Sequence, residues 1–107
     1  MKQEFNVGVA VRYGVYAAVI VNVMIALCKA YRKVERYNHN GKIVIPTDYI
    51  LDNVETFMNR RQYNEGIKRL IDSGIIDVVE CSDLLFFTDK AKEIFRKKPI
   101  RILITWQ

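Results

Sequence analysis

Side chains that can hydrogen-bond to nucleic-acid bases are concentrated between residues 60 and 69. They comprise Arg60, Arg61, Gln62, Asn64, Lys68 and Arg69. Arginine, glutamine and asparagine can bond to the edges of guanine and adenine in a DNA major groove. Lysine supplies a positive charge that attracts the phosphates. These six residues are therefore candidate DNA contacts, provided that they lie on the exposed side of one element.

The same segment carries the signals of an amphipathic helix. Asn59 and Gln62 have the spacing of a capping box, in which each side chain bonds to the backbone N–H of the other residue. Gly74 stands where a left-handed residue ends a helix at low steric cost. Four apolar residues recur at helical spacing and predict one buried stripe: Tyr63, Ile67, Leu70 and Ile71. The sequence therefore predicts a helix from Asn59 to Ser73.

Hydrophobic patterning and turn residues predict the elements that position this helix. A single domain spanning residues 1–107 is expected, mainly α with a small β-hairpin (α+β). The elements are a helix from Tyr13 to Arg32, a strand from Lys42 to Ile45, a helix from Thr47 to about Glu55, a hairpin from Ile75 to Phe87, a helix from Thr88 to Lys97 and a strand over residues 100–106. Residues 5–11 are also β-prone, so the two ends are expected to pair with each other or across a dimer.

Four motifs along the chain carry a family resemblance. Tyr13-Gly14 opens a long apolar helix, and residues 40–47 supply a short strand and the cap of the second helix. Residues 57–76 form a capped helix that turns into a strand, and residues 87–92 open a Thr-led helix. Together they resemble the winged-helix domains of bacteriophage replication-initiator and replisome-organiser proteins. The resemblance implies a winged helix-turn-helix in which residues 59–73 are the recognition helix and the hairpin is the wing.

Charge agrees with an anionic partner. The formal net charge is +5 and the isoelectric point is near 9.3, which favours nucleic acid without requiring it. Lys33 and Arg36 follow the first helix and are candidate contacts to backbone phosphates. The alternative is that cations at helix ends only complement the helix dipole and keep the surface hydrated. The predicted partner is duplex DNA.

Residues that could support catalysis or bind a metal are sparse. His39 is the only histidine and stands in a polar turn, and no Cys or His cluster has metal-ligand spacing. Cys28 and Cys81 are the only cysteines, and reduced thiols in a cytoplasm are the default for such a pair. We therefore expect a non-enzymatic protein with no catalytic residue, metal or cofactor.

Residues 7–28 form a nearly continuous apolar stretch that raises the question of a membrane or export segment. A spanning helix needs about 20 apolar residues, and a signal peptide needs a basic start and a small-residue cleavage site. Arg12 and Asn22 interrupt the stretch, and Glu4 offsets Lys2 at the start. A buried first helix is the expected structure, in a protein of the cytoplasm, which is the bacterial host's cytoplasm if the chain is phage-encoded.

Acidic residues leave a second function open. Glu80 and Asp83 stand at the wing tip, and Glu65 and Asp72 fall on the exposed side of the predicted recognition helix. A winged helix of mixed charge is also suited to binding protein. The alternative function is a phage-encoded module that binds and inhibits a host polymerase or defence nuclease, as anti-CRISPR proteins do. A homodimer is also expected, because residues 15–28 offer more apolar surface than a chain of this length easily covers.

Overall fold

The computed structural model describes residues 2–6, 13–39, 42–91 and 101–105. Within these ranges, three α-helices with both ends described and three small antiparallel sheets make an α+β fold. In chain order the elements are β1 (Lys2–Asn6), α1 (Val15–Tyr31), a 3-10 helix (Glu35–Tyr37), β2 (Asn38–His39), β3 (Lys42–Ile43), β4 (Ile45–Pro46), α2 (Thr47–Val54), α3 (Arg60–Asp72), β5 (Ile76–Val78), β6 (Leu84–Phe87) and β7 (Arg101–Thr105).

Helix α1 forms the centre of the core, as its apolar sequence predicted. It begins after Gly14, whose φ of 94° lies in the left-handed region that glycine adopts at low cost. Seven of its residues are buried: Ala17, Ala18, Val19, Ile20, Val21, Val23 and Met24. Burial of consecutive residues means that other elements surround this part of the helix. Within the described part of the chain, no helix combines the length and the apolar character needed to cross a membrane.

The second helix differs from its prediction at the start. Thr47 was expected to cap α2, but the N-cap residue is Pro46 and Thr47 is the first helical residue. The Thr47 hydroxyl instead bonds to the hydroxyl of Tyr63 on α3. The Thr47 side chain, which the local sequence predicted to cap α2, therefore makes a tertiary contact with α3 instead.

Both ends of α3 follow the sequence prediction. The backbone N–H of Gln62 donates to Asn59 Oδ1 at 2.8 Å, and the N–H of Asn59 donates to Gln62 Oε1 at 2.9 Å, which completes the capping box. At the other end Gly74 has a φ of 76°. Its N–H donates to the Ile71 carbonyl, and the N–H of Ile75 donates to the Leu70 carbonyl. This pair of bonds is a Schellman motif, which satisfies carbonyls that the helix end leaves without partners.

The predicted hairpin is confirmed, and a third strand joins it. Strands β4, β6 and β5 form an antiparallel sheet in that order, with Ile45 opposite Leu85 and Ile76 opposite Phe87. The single strand predicted over residues 42–45 is wrong, because β3 pairs with β2 in a separate sheet and β4 joins β6. His39, which was predicted in a polar turn over residues 37–41, ends β2 and pairs with Lys42, and residues 40–41 lie outside the described residues.

The two ends of the chain pair with each other. Strands β1 and β7 are antiparallel, with Lys2 opposite Thr105 and Asn6 opposite Arg101. The sequence left open whether the two ends pair within one chain or across a dimer, and here they pair within one chain. Strand β1 also lies against α1, so the pair of terminal strands adds a layer beside the central helix. The β-prone residues 7–11 lie outside the described residues.

The last predicted helix is described only at its start. Residues 89–91 are helical, and residues 92–97 lie outside the described residues. Thr88 directly precedes these residues, at the position predicted for the cap, and its hydroxyl donates to the Gly74 carbonyl oxygen with the Ile75 carbonyl oxygen 3.2 Å away. The side chain therefore ties the end of β6 back to the turn after α3.

Leu70 tests the packing of α3, since it is fully buried in the core. We expect Leu70→Ala to lower the free energy of unfolding by about 2–5 kcal/mol, because it removes buried apolar surface and leaves a cavity. Urea denaturation measures the change. Lys68→Ala, on the exposed side of the same helix, should stay within about 0.5 kcal/mol of wild type. An unchanged midpoint for Leu70→Ala would contradict the packing.

Candidate nucleic-acid interface

Helix α3 approaches α1 closely at one residue without a side chain. Gly66 is buried, and a Cβ placed on it would lie 2.7 Å from Cδ1 of Ile20 and 3.2 Å from the backbone nitrogen of Ala17. Glycine is thus the residue that lets the two backbones pack at this distance. The contact fixes which side of α3 faces the core and which side faces away.

Tyr63 fixes α3 against α2. Its ring is buried and its hydroxyl donates to the Thr47 carbonyl at 3.1 Å, while the Thr47 hydroxyl bonds to the same phenol oxygen. Burial raises the pKa of Tyr63, which keeps the phenol in the protonated form that donates this bond. The start of α2 and the first turns of α3 are therefore joined by a partly buried polar contact.

Gln62 is engaged within the protein. Its Oε1 accepts from Asn59 in the capping box, and its Nε2 donates to the hydroxyl of Tyr16 on α1 at 2.7 Å. The side chain is half-buried, unlike its neighbour Arg61. Among the sequence-predicted contacts, Gln62 thus holds the first turn of α3 in place.

Four of the predicted residues lie together on the exposed side of α3. Arg60, Arg61, Asn64 and Lys68 are all exposed. Arg61, Asn64 and Lys68 are three and four residues apart, so they share the helix face opposite Gly66. Arg60 is four residues before Asn64 and flanks this stripe. We call these four residues the α3 face.

Arg69 lies on a different side of the helix. Its Nη2 is 3.4 Å from Oε1 of Glu65, one turn earlier, and both side chains are more than half exposed. A Cβ on Gly14 would lie 3.3 Å from Nη1 of Arg69, so the guanidinium reaches toward the start of α1. An exposed pair of this kind adds little stability, but it offsets part of the positive charge beside the α3 face.

Lys33 and Arg36 are distant from the α3 face. Both are exposed and follow the C-terminal end of α1, whereas α3 contacts Tyr16 near its N-terminal end. Tyr16 and Tyr31 are separated along α1 by roughly 22 Å at the rise of an α-helix. The structure therefore divides the predicted contacts between two surfaces.

The tip of the β5–β6 hairpin is acidic, as the sequence indicated. Glu80 and Asp83 are exposed there, and Cys81 between them has a φ of 59°. The Asp83 carbonyl accepts from the N–H of Thr47 at 3.0 Å, so the hairpin is tied to the start of α2. Lys42 on β3 reaches over this sheet, and its Nζ is 5.0 Å from the ring centroid of Phe86 on β6.

A cluster of three tyrosines lies at the far end of α1. The rings of Tyr31 and Tyr37 stack with their centroids 4.6 Å apart, and Tyr49 meets each of them edge-on at 6.2 Å. Together with Val34 they line an open groove of about 450 Å³, whose polar lining is Arg36, Asp52 and Asn53. We call it the tyrosine groove.

Hydrogen bonds hold the tyrosine groove in shape. Arg36 Nη2 donates to the Tyr37 hydroxyl at 3.0 Å, and its guanidinium carbon lies 4.9 Å from the centre of that ring. The hydroxyls of Tyr37 and Tyr49 are 3.2 Å apart. This bond lowers the pKa of Tyr37 and raises that of Tyr49.

Sequence reasoning did not identify the tyrosine groove, although part of its signal is local. Residues 29–37 alternate cations with Tyr31 and Tyr37, and interleaved cations and aromatic rings are typical of surfaces that bind single strands. Tyr49 is distant in sequence and joins the cluster only through the tertiary fold.

Reactive side chains are few in the described part of the chain. Cys28 and Cys81 are both free thiols, and burial raises the pKa of the Cys28 thiol to about 11. No group of three or more His, Cys, Asp or Glu within the described ranges is placed to hold a metal ion.

No protein-family model, curated protein or solved structure matches this chain. The function is therefore inferred from the geometry and charge of the two surfaces.

Gly66 tests how α3 is positioned. We expect Gly66→Ala to lower the free energy of unfolding by about 1 kcal/mol, because overpacking against α1 costs about 1–3 kcal/mol and outweighs the gain in helix propensity of about 1 kcal/mol. In an Ile20→Val background, which lacks the clashing Cδ1, the loss should be smaller. Urea denaturation of the double-mutant cycle measures both values. Asn64→Ala, on the exposed face, is the control and should be neutral or stabilising. A more stable Gly66→Ala protein would contradict the close approach.

Proposed function

We propose that this chain is a non-enzymatic winged-helix protein that reads duplex DNA with α3, as a phage-type replication or transcription accessory factor in the cytoplasm of a bacterial host. Support comes first from the order and pairing of its elements. Helix α1, strand β4, helices α2 and α3, and the β5–β6 hairpin follow one another along the chain, and β4 pairs with β6. This arrangement is the one expected of a helix-turn-helix followed by a wing.

The α3 face carries the proposal. Its arginine, asparagine and lysine side chains point away from the core and lie in the N-terminal part of the helix. That part of a recognition helix enters the major groove. Arginine bonds to guanine through two parallel hydrogen bonds, and asparagine bonds in the same way to adenine. Close packing at Gly66 and the contacts of Tyr63 and Gln62 support a fixed orientation for these side chains.

Arg60→Ala combined with Arg61→Ala tests the proposal. We expect the double variant to lose duplex affinity by several-fold or more, since each base-reading contact contributes about 1–3 kcal/mol of discrimination. Fluorescence anisotropy with random-sequence duplex and with a selected site, at several salt concentrations, measures the loss. Wild-type binding should weaken steeply with salt, because neutralised phosphates release counterions.

Arg60→Lys combined with Arg61→Lys is the matched control. It keeps both charges but removes the planar fork that bonds to guanine. It should retain the salt-dependent binding to random duplex and lose preference for the selected site. Wild-type affinity in the alanine variant, with an unchanged circular dichroism spectrum, would rule out α3 as the reading helix.

The mixed charge around α3 favours a second candidate function. Glu80 and Asp83 are exposed at the hairpin tip, and Glu65 pairs with Arg69 beside the α3 face. Carboxylates at these positions repel phosphate and suit a protein partner. The second proposal is therefore a phage-encoded module that binds and inhibits a host polymerase or defence nuclease, in the manner of an anti-CRISPR protein. Capture from bacterial lysate with and without nuclease separates the two, because a direct protein partner survives the digestion.

A homodimer is proposed for either function. Val15 and Tyr16 at the start of α1 are 49% and 37% exposed, and exposed apolar side chains of this kind are typical of interfaces. Two-fold symmetry would also present two copies of α3 to adjacent half-sites.

Light scattering coupled to gel filtration tests the dimer. We expect a mass of about 25 kDa, twice the 12.5 kDa of the chain. Val15→Glu should shift the mass toward 12.5 kDa, because it would place a charge in the interface. A wild-type mass of 12.5 kDa at every protein concentration would contradict the proposal.

A further inference from the structure

We propose that the tyrosine groove binds single-stranded nucleic acid, by stacking an unpaired base on its rings and holding the adjoining phosphates with the cations beside it. This site is separate from the α3 face and does not depend on it. Tyr31 is the last residue of α1 and Tyr37 follows in the 3-10 helix, whereas α3 contacts the N-terminal half of α1. The proposal rests on three features of the groove: its ring surface, its charge and its preformed hydrogen bonds.

The ring surface suits a planar ligand. Tyr49 is 37% exposed, and Val34 beside it is equally exposed, so apolar surface at the edge of the cluster is accessible to a ligand. Bases of every kind stack on such rings, because each base has a π-face. Tyr31, Tyr37 and Tyr49 contact one another, so these rings are held before a ligand arrives.

The charge around the groove selects among flat or apolar ligands. Residues 29–37 carry four cations and one carboxylate: Lys29, Arg32, Lys33 and Arg36, with Glu35. Helix α2, which supplies Tyr49, adds the exposed carboxylates Asp48 and Asp52, and Asp52 lines the groove along with Arg36. The four cations still outnumber these three carboxylates, and a positive balance beside aromatic rings attracts a phosphate backbone and repels a basic peptide.

A cage for an organic cation is a poorer match to the same rings. In such cages the bound cation contacts the faces of the aromatic rings. Here the Arg36 guanidinium already lies over Tyr37, and it would repel a second cation. The rings also stack on one another instead of surrounding an empty centre.

The hydrogen bonds leave one donor directed to a ligand or to water. A phenol oxygen has two acceptor sites and one O–H. The Tyr37 oxygen is within bonding distance of Arg36 Nη2 and of the Tyr49 hydroxyl. Only one of the two phenol O–H groups is used in the bond between Tyr37 and Tyr49, so the other O–H remains to donate to a phosphate oxygen or a base carbonyl. The backbone at this point is anchored as well, because the N–H of buried Val44 donates to the Tyr37 carbonyl at 2.8 Å.

Paired probes test stacking separately from phosphate attraction. One is a fluorescent oligothymidylate of about 12 nucleotides, within the site sizes seen for single-strand binders. The other is an abasic strand of the same length and charge. We expect the wild-type chain to bind the oligothymidylate at least about fivefold more tightly than the abasic strand. Equal affinity for the two strands, or no binding to either at low salt, would overturn the proposal.

Variants assign the stacking to the groove. Tyr49→Ala should remove the preference for the oligothymidylate, while Tyr49→Phe, which keeps the ring, should retain it. The Arg60→Ala and Arg61→Ala double variant should also retain it, although its binding to duplex falls. An unchanged preference in Tyr49→Ala, or its loss in the double arginine variant, would place the stacking elsewhere and overturn the proposal. Because duplex and single-strand binding are measured on the same variants, failure of one site is distinguishable from failure of the other.

Photo-crosslinking supplies a readout that needs no substitution. An oligonucleotide containing 5-iododeoxyuridine crosslinks to aromatic side chains on which the modified base is stacked. With the wild-type chain, we expect mass spectrometry to locate the adduct on Tyr31, Tyr37 or Tyr49. Adducts confined to residues 13–16 or 60–72 would overturn the assignment.

Discussion

The close approach of α1 and α3 at Gly66 is the constraint on which the rest of the structure depends. With no side chain at this position, the backbone of α3 packs directly against Ala17 and the side chain of Ile20. One point of contact at this distance fixes the helix face that is buried, so Leu70 turns inward and Lys68 turns outward. Exposure of the α3 face therefore follows from the packing of the opposite face.

Polar contacts at the N-terminal end of α3 then oppose rotation of the helix about that point. The capping box holds the first turn, and Gln62 extends it to Tyr16 on α1. Tyr63 reaches the start of α2, where the carbonyl of Asp83 also accepts from Thr47. Helix α2, helix α3 and the hairpin tip are thus joined at one place. A reading helix requires such rigidity, because bidentate bonds to a base tolerate little change in position.

Helix α1 separates two surfaces of different chemistry. The α3 face offers arginine, asparagine and lysine side chains suited to the hydrogen-bonding edges of paired bases. The tyrosine groove offers rings suited to the faces of bases, and in duplex DNA those faces are covered by neighbouring base pairs. Because α1 is a helix of 17 residues, seven of which are buried in the core, the distance between the surfaces is fixed by its packing. The two proposals can therefore be tested one at a time.

The sequence by itself determined the elements whose causes are local. The ends of α3 followed from Asn59, Gln62 and Gly74, since capping bonds join residues close in the chain, and the buried stripe followed from helical periodicity. Tertiary structure decided what depends on distant partners. Thr47 bonds to Tyr63 instead of capping α2, residues 42–45 divide between two sheets, and Gln62 binds Tyr16. It also assembled the tyrosine groove. Local spacing shows that Tyr31 and Tyr37 lie near cations in the chain, but it does not show that Tyr49 from α2 packs against them.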